Sequence, residues 1–238
     1  MKATHIVYDI NKGAERMDSI LADNKILESL PENWSDKDIL YGKVYSTRAI
    51  CMSVNLQYQP VALLSGGQSA IKQFTVYKLL SSELAAIINA DERVYEIDFS
   101  EGSKLTIVLD DNKGMLDDVI DLAAKISSVS RIASAKCIKN DFPSTNVAIA
   151  LDAGDMFITR ECVEGSDSDN VLWFGKPLQE VSRVSSLVLA DTPILVSSII
   201  YNRLTDRYKN FFSLNTITDM YQASLRNNYL ATWMAENL

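Results

Sequence analysis

A chain of 238 residues, 47% hydrophobic and 23% charged, is long enough for one large domain with a substantial buried core. Its 31 acidic residues against 23 basic ones leave a net charge of −8. That balance excludes a broad basic surface for nucleic-acid backbone, while leaving room for a local basic pocket that takes a single nucleotide.

The single histidine, His5, leaves no partner set for a zinc centre or a histidine-based catalytic dyad. Cys51, Cys137 and Cys162 are odd in number and lack metal-ligand spacing, so reduced thiols in a cytoplasmic protein are expected. No apolar run approaches the roughly 18 residues of a membrane span. The N-terminus shows no apolar stretch of the signal-peptide kind.

The spacing of Met17, Ile20, Leu21, Ile26, Leu27 and Leu30 predicts a helix over 14–30, ended by Pro31. Residues 1–43 are therefore expected to form a helical lead-in, and 44–238 the principal domain. Residues 48–55 (RAICMSVN) read as a buried strand, and a Ser-Gly-Gly loop at 65–67 leads into a helix over 69–90. Strands at 93–99 and 104–109, separated by Ser-Glu-Gly-Ser, form a hairpin. An amphipathic helix over 115–129 follows, with Asp110-Asp111 and Asp117-Asp118 near its start as capping or solvated acids. Strands at 146–151 and 156–159 then form a second expected hairpin, its turn Asp152-Ala153-Gly154-Asp155. An acidic loop at 164–169 precedes a short strand at 171–174, which stops at Gly175. A helix running on through 181–189, a strand at 194–197, a helix at 198–204 and an aromatic tail without clear period complete the chain. Hairpins alternating with helices predict an α+β fold, a mostly antiparallel sheet with helices on one face.

The most informative segment is NVLWFGKPLQEVSRVSS, residues 170–186. In its helix Gln179 and Arg183 stand four residues apart, so an amide and a guanidinium point from one face. Arginine is a strong phosphate ligand, and a helix start favours anions.

This order, with Ile149-Ala150-Leu151-Asp152-Ala153-Gly154 followed by Val171-Leu172-Trp173-Phe174-Gly175-Lys176-Pro177-Leu178-Gln179-Glu180-Val181-Ser182-Arg183, and later by Ile200-Tyr201-Asn202-Arg203-Leu204-Thr205-Asp206, resembles the class III nucleotidyl cyclase domain. It is most similar to the bacterial pyrimidine cyclases of the Pycsar antiphage system. The likeness runs from about residue 44 to the end and implies a ferredoxin-like, palm-type domain. By that resemblance Gln179 takes the place of the ribose-orienting asparagine, and Arg183 that of the cation facing the triphosphate in the transition state. Asn170 and Ile97 fall near the base contacts, and Lys176 near the phosphates. The resemblance also implies a pyrimidine nucleoside triphosphate as substrate and a 3′,5′-cyclic mononucleotide as product. It implies a homodimer, or a heterodimer with a related cyclase chain, and a cyclic-nucleotide-responsive effector downstream in antiviral defence.

The family holds two divalent ions, Mn²⁺ or Mg²⁺, on two aspartates. Here Asn55 and Glu101 stand at or beside those positions. The phosphate half of the pattern is thus better kept than the metal half, which suits a chain that complements a partner. The alternative is a catalytically inactive cyclase-like module that binds nucleotide or a protein partner. Either nucleotide reading fails if Arg183 is buried in an intrachain ion pair, or if no two-fold cleft between paired chains brings it opposite Asn55.

Overall fold

The computed structural model describes residues 9–31, 34–58, 67–99, 102–162, 169–187 and 192–238. In chain order the elements are α1 (Ile10–Ala22), β1 (Ile26–Ser29), a 3₁₀ turn (Asp36–Asp38), β2 (Lys43–Tyr58), α2 (Gly67–Asn89), β3 (Val94–Asp98), β4 (Lys104–Asp110), α3 (Leu116–Lys139), β5 (Thr145–Cys162), β6 (Asp169–Phe174), α4 (Lys176–Ser185), β7 (Ile194–Val196), α5 (Ser198–Arg203), α6 (Asp206–Lys209), β8 (Ser213–Asn215), β9 (Met220–Ala223) and α7 (Asn228–Asn237). They gather into two compact units, Met1–Thr47 with Asp155–Gly175, and Arg48–Gly154 with Lys176–Leu238.

The larger unit is built on a sheet of order β3-β4-β2-β5-β7-β9-β8. β2 pairs antiparallel with β4 from Ala49↔Asp110 to Asn55↔Lys104, and β3 pairs antiparallel with β4. Thr145, opening β5, donates to the Gln57 carbonyl near the end of β2, so those two strands also run in opposite senses. The β5–β7 pairing is parallel; β7–β9 and β8–β9 are antiparallel. This is the mostly antiparallel α+β sheet that the alternation of hairpins and helices predicts.

Period-two alternation divides the strand residues between two faces. Ile50, Met52, Val54 and Leu56 of β2, Leu105, Ile107 and Leu109 of β4, and Val147, Ile149 and Leu151 of β5 point to one side. There they meet Leu80, Leu84 and Ile88 of α2 and Val119, Ile120, Ala123 and Ile126 of α3 in one continuous core. Each of the Val, Leu, Ile and Met side chains among them contributes about 1.5–3 kcal/mol by leaving water. The main helix layer therefore lies on that face. The other face carries Cys51, Ser53, Ala148, Ala150 and Asp152, all buried, and it receives the shorter α4.

Three expectations change at the level of elements. The helix expected over 14–30 stops at Ala22, and Ile26–Ser29 instead pairs parallel with the start of β2. The apolar spacing was shared between a helix and a strand edge, which periodicity alone does not separate. The second hairpin does not form: β5 is one 18-residue strand running through Asp152-Ala153-Gly154-Asp155. Gly154 serves packing there, since a Cβ on it would lie 3.2 Å from the Pro177 ring. The tail is ordered as β8, β9 and α7. Glu101, most of the 164–169 loop and part of the 65–67 loop lie outside the described residues.

The smaller unit has its own core of Ile39, Tyr45 and Ile158, packed by Leu30, Trp34, Val171 and Trp173. The Trp34 and Trp173 rings lie 5.9 Å apart. The Arg160 guanidinium donates to the Ile39 carbonyl at 2.9 Å and sits over the Tyr41 ring. In this unit β6 pairs along β5 from Phe157↔Phe174 to Cys162↔Asp169.

Candidate functional site

Helix α4 begins where β6 ends, and Gly175 makes the junction possible. A Cβ there would stand 2.9 Å from the Asp155 carbonyl oxygen and 2.6 Å from the Met156 sulfur, closer than packed atoms come. Pro177 in the first turn suits a helix start, where a missing N–H costs nothing. The buried residues Pro177, Val181, Val184 and Ser185 recur at helical spacing and seat α4 on the sheet. The same spacing leaves Lys176, Gln179 and Arg183 on the opposite, exposed stripe. Two of the residues singled out for phosphate and the one for ribose are therefore brought onto one solvent-facing line.

Arg183 is engaged within its own helix. Its Nε and Nη2 donate to Glu180 Oε2 at 3.1 and 2.8 Å, and its side chain remains 58% exposed. An exposed helical ion pair of this kind contributes about 0.3–0.5 kcal/mol. A polyphosphate offers far more, so the pair orients the guanidinium without sequestering it. Of the two conditions under which the nucleotide reading fails, burial of Arg183 in an intrachain pair is not met.

Asn55 is half-buried near the end of β2, on the face away from the main helix layer. Directly across the strand pair stands Lys104, whose ammonium donates to Ser182 Oγ of α4 at 2.5 Å. Residues so paired share a face, with Cβ atoms about 4.5–5.5 Å apart. Asp98, opposite Thr106 in the β3–β4 register, lies on this face as well and is exposed. Ile97 lies on the other face, packed against the helix-covered core, away from Asn55 and Lys104. Asn170 belongs to β6 and pairs with Glu161.

The residues described at the metal-side positions do not fit a divalent cation. Asn55 is neutral and its cross-strand neighbour is a cation. Among the described residues no group of three or more His, Cys, Asp or Glu side chains could hold a metal.

The remaining acids are structural. The Asp111 carboxylate, 2% exposed, receives both terminal nitrogens of Arg203 at 2.8 and 2.9 Å. Asp117 accepts from the Thr205 N–H and hydroxyl. Asp118 accepts from the Met115 N–H at the start of α3, as helix capping requires. Asp152 is buried mid-strand and accepts from the Ala153 N–H. Beneath α4, burial and then the Asp152 charge push the Cys51 thiol up to about 12, so it is an inert core group rather than a nucleophile.

The residues that sequence reasoning missed are Lys104 and Ser182. The signal was present in the hairpin: once 93–99 and 104–109 pair, the first residue of the return strand falls opposite the end of β2. No sequence pattern gives the contact from Lys104 to α4, which depends on how the helix is seated.

No protein-family profile matches the chain. It is 21% identical over 214 residues to a uridylate cyclase of Treponema porcinum, an overlap of 89% of this chain and 74% of that protein. It is 19% identical to a uridylate cyclase of Gulbenkiania mobilis over the full length of both. Among solved structures, the fold superposes on a class III adenylyl cyclase-like ATP-binding protein from Pseudomonas aeruginosa with a TM-score of 0.72, at 11% identity over 95% of this chain and 49% of that one. The adenylyl cyclase CyaB from the same organism gives 0.62, at 10% identity over 78% and 97%. With the sheet order and these superpositions together, the chain has the fold of the class III nucleotidyl cyclases.

Proposed function

We propose that this domain handles a pyrimidine nucleoside triphosphate, UTP above all, and contributes the α4 stripe to a site that forms a 3′,5′-cyclic mononucleotide. The reaction class is attack of the ribose 3′-hydroxyl on the α-phosphate with loss of pyrophosphate. In this reading Gln179 orients the ribose, while Arg183, with Lys176 at the helix start, meets the charge that builds on the phosphate oxygens. The observation that carries the reading is the exposed line Lys176–Gln179–Arg183 on a cyclase fold. The two uridylate cyclase relatives support the choice of base.

Class III cyclases generally use divalent metal ions, and the described metal-side residues of this chain do not fit one. The chain accordingly supplies the phosphate-facing half, and a related chain with intact carboxylates supplies the other. A surface for a second chain is available in the smaller unit, where Leu172 and Phe174 of β6 are 41% and 43% exposed and Phe174 stacks on Phe157. Apolar residues clustered on a strand of this kind suit an interface. A role in antiviral signalling through a cyclic-nucleotide effector belongs to the same proposal.

The test is product formation from each of the four ribonucleoside triphosphates with Mn²⁺, by the chain alone and mixed with a related cyclase chain that keeps both aspartates but has lost its own arginine. Cyclic UMP from the mixture, abolished by Arg183→Ala in this chain, supports the reading. Cyclic product from the chain alone at full rate, or none from the mixture, contradicts the complementing role. The second reading, a nucleotide-binding module without turnover, is favoured by the Asn55–Lys104 pair and predicts binding with no product in either case.

A further inference from the structure

The helix layer of the larger unit is open at one place, on the side of the sheet away from α4. Helix α7 is tied to α3 at its first turn, where the Asn227 N–H donates to Ser128 Oγ at 2.8 Å and the Asn227 side chain caps the Leu230 N–H. No residue of α7 is buried. Its Leu230 and Trp233 face Leu79 of α2 and Ile132 of α3 across a cavity of about 370 Å³. That volume falls within the roughly 300–1,000 Å³ of small-molecule sites, which are mostly apolar with a few placed polar groups. Two charged side chains line it, Glu83 from α2 and Lys136 from α3. They are not paired with each other, and among the described residues neither takes part in an ion pair. The Lys136 ammonium lies 5.6 Å from the centre of the Trp233 ring, a cation–π contact that keeps it at the aromatic wall.

We propose that this cavity is a binding site for an aromatic α-amino acid in its zwitterionic form. The apolar walls take the ring, Lys136 takes the carboxylate and Glu83 takes the ammonium. A ligand with one charge satisfies one of these side chains and meets the other as a like charge; a zwitterion satisfies both. A nucleotide would bring ribose hydroxyls that walls of Leu, Ile and Trp leave without partners. The bound ring covers apolar surface that α7 leaves in contact with water, so the ligand fastens α7 onto α2 and α3. The inference stands apart from the nucleotide reading, because the cavity shares no residue with α4 or with the ends of β2 and β4.

The experiment is calorimetric titration of the whole chain with L-tryptophan, L-phenylalanine and two analogues of the former. Tryptamine lacks the carboxylate, and N-acetyl-L-tryptophan lacks the charged nitrogen. L-Tryptophan is expected to bind about tenfold or more tightly than either analogue and to raise the melting temperature. Lys136→Gln and Glu83→Gln alter exposed side chains, so without ligand both should melt as the wild type does. Each is expected to weaken L-tryptophan about tenfold. Lys136→Gln should bind tryptamine no worse than the wild type, and Glu83→Gln should bind N-acetyl-L-tryptophan no worse. If neither amino acid binds, if an analogue binds as tightly as L-tryptophan, or if neither variant changes the affinity, the inference is overturned. Displacement of L-tryptophan by an equal concentration of cyclic UMP would overturn it in favour of a nucleotide site. None of these outcomes touches the nucleotide function assigned to α4, which UTP titration tests separately.

Discussion

Helix α4 and the β2–β4 strand pair keep the cyclase pattern to different degrees. On α4 an apolar face of Val181 and Val184 and an exposed line of Lys176, Gln179 and Arg183 are arranged as the fold demands. At the strand ends the backbone is equally regular, with Asn55 and Lys104 in register, but the family's carboxylate is replaced by a neutral amide. The lesson is that backbone placement and side-chain chemistry of a site separate cleanly. The register that would present a carboxylate survives the absence of that carboxylate.

The comparison breaks most severely if α4 is unseated. Gly175→Ala is expected to cost about 2–3 kcal/mol, because its methyl meets the Asp155 carbonyl and cannot be relieved by a side-chain rotation. Thermal denaturation should show a Tm lower by several degrees, with UTP binding weakened in step. Val181→Ala removes buried contacts beneath the helix and is expected to cost about 1–2 kcal/mol. A melt unchanged by either variant would mean that α4 is not held by the packing described.

The strand side is sharpened by restoring what is missing. Asn55→Asp combined with Lys104→Gln replaces an amide and a cation by a carboxylate and an amide. Mn²⁺ is then expected to raise the Tm by about 2–4 °C, corresponding to about 1 kcal/mol of preferential binding to the folded chain. The wild type should show no such rise. Equal shifts in both proteins would contradict the misfit of Asn55 and Lys104 to a divalent ion.

The smallest effect concerns Cys51, on the same face beneath α4. Its folded-state pKa is raised from 9.0 to about 12, so the thiol form is favoured in the fold. That contribution to stability is present in full below about pH 9. It is lost as pH rises toward 12, because the unfolded chain ionises first. Melts between pH 8 and 11 should show the decline beginning near pH 9. Alkylation of Cys51 at pH 8 should be slow until the protein unfolds, and rapid labelling of the folded chain would show that α4 leaves its seat.

Much of this arrangement is legible in the amino-acid order. The core positions of β2 and β4, the long helices α2 and α3, and the Gln179–Arg183 pairing follow from period and spacing. So does the start of α4 at a glycine followed by Lys-Pro. What misleads is turn chemistry. Asp152-Ala153-Gly154-Asp155 has the composition of a turn, but the glycine is needed for the approach of Pro177 and the aspartate for a buried hydrogen bond. The 14–30 segment misleads because a short amphipathic helix and an edge strand share one apolar run. Lys104 escaped notice because its meaning depends on register and on the seating of α4, two tertiary facts that no local pattern encodes.

The central claim is that the exposed guanidinium of Arg183 binds the triphosphate of a nucleotide on the α4 face. Titration of the wild-type chain and of Arg183→Ala with UTP tests it most directly. The account predicts measurable binding by the wild type and a loss of about tenfold or more in the variant, with the melting temperature of the variant unchanged within a degree or two. Equal affinity in the two proteins, with both folded, would contradict it.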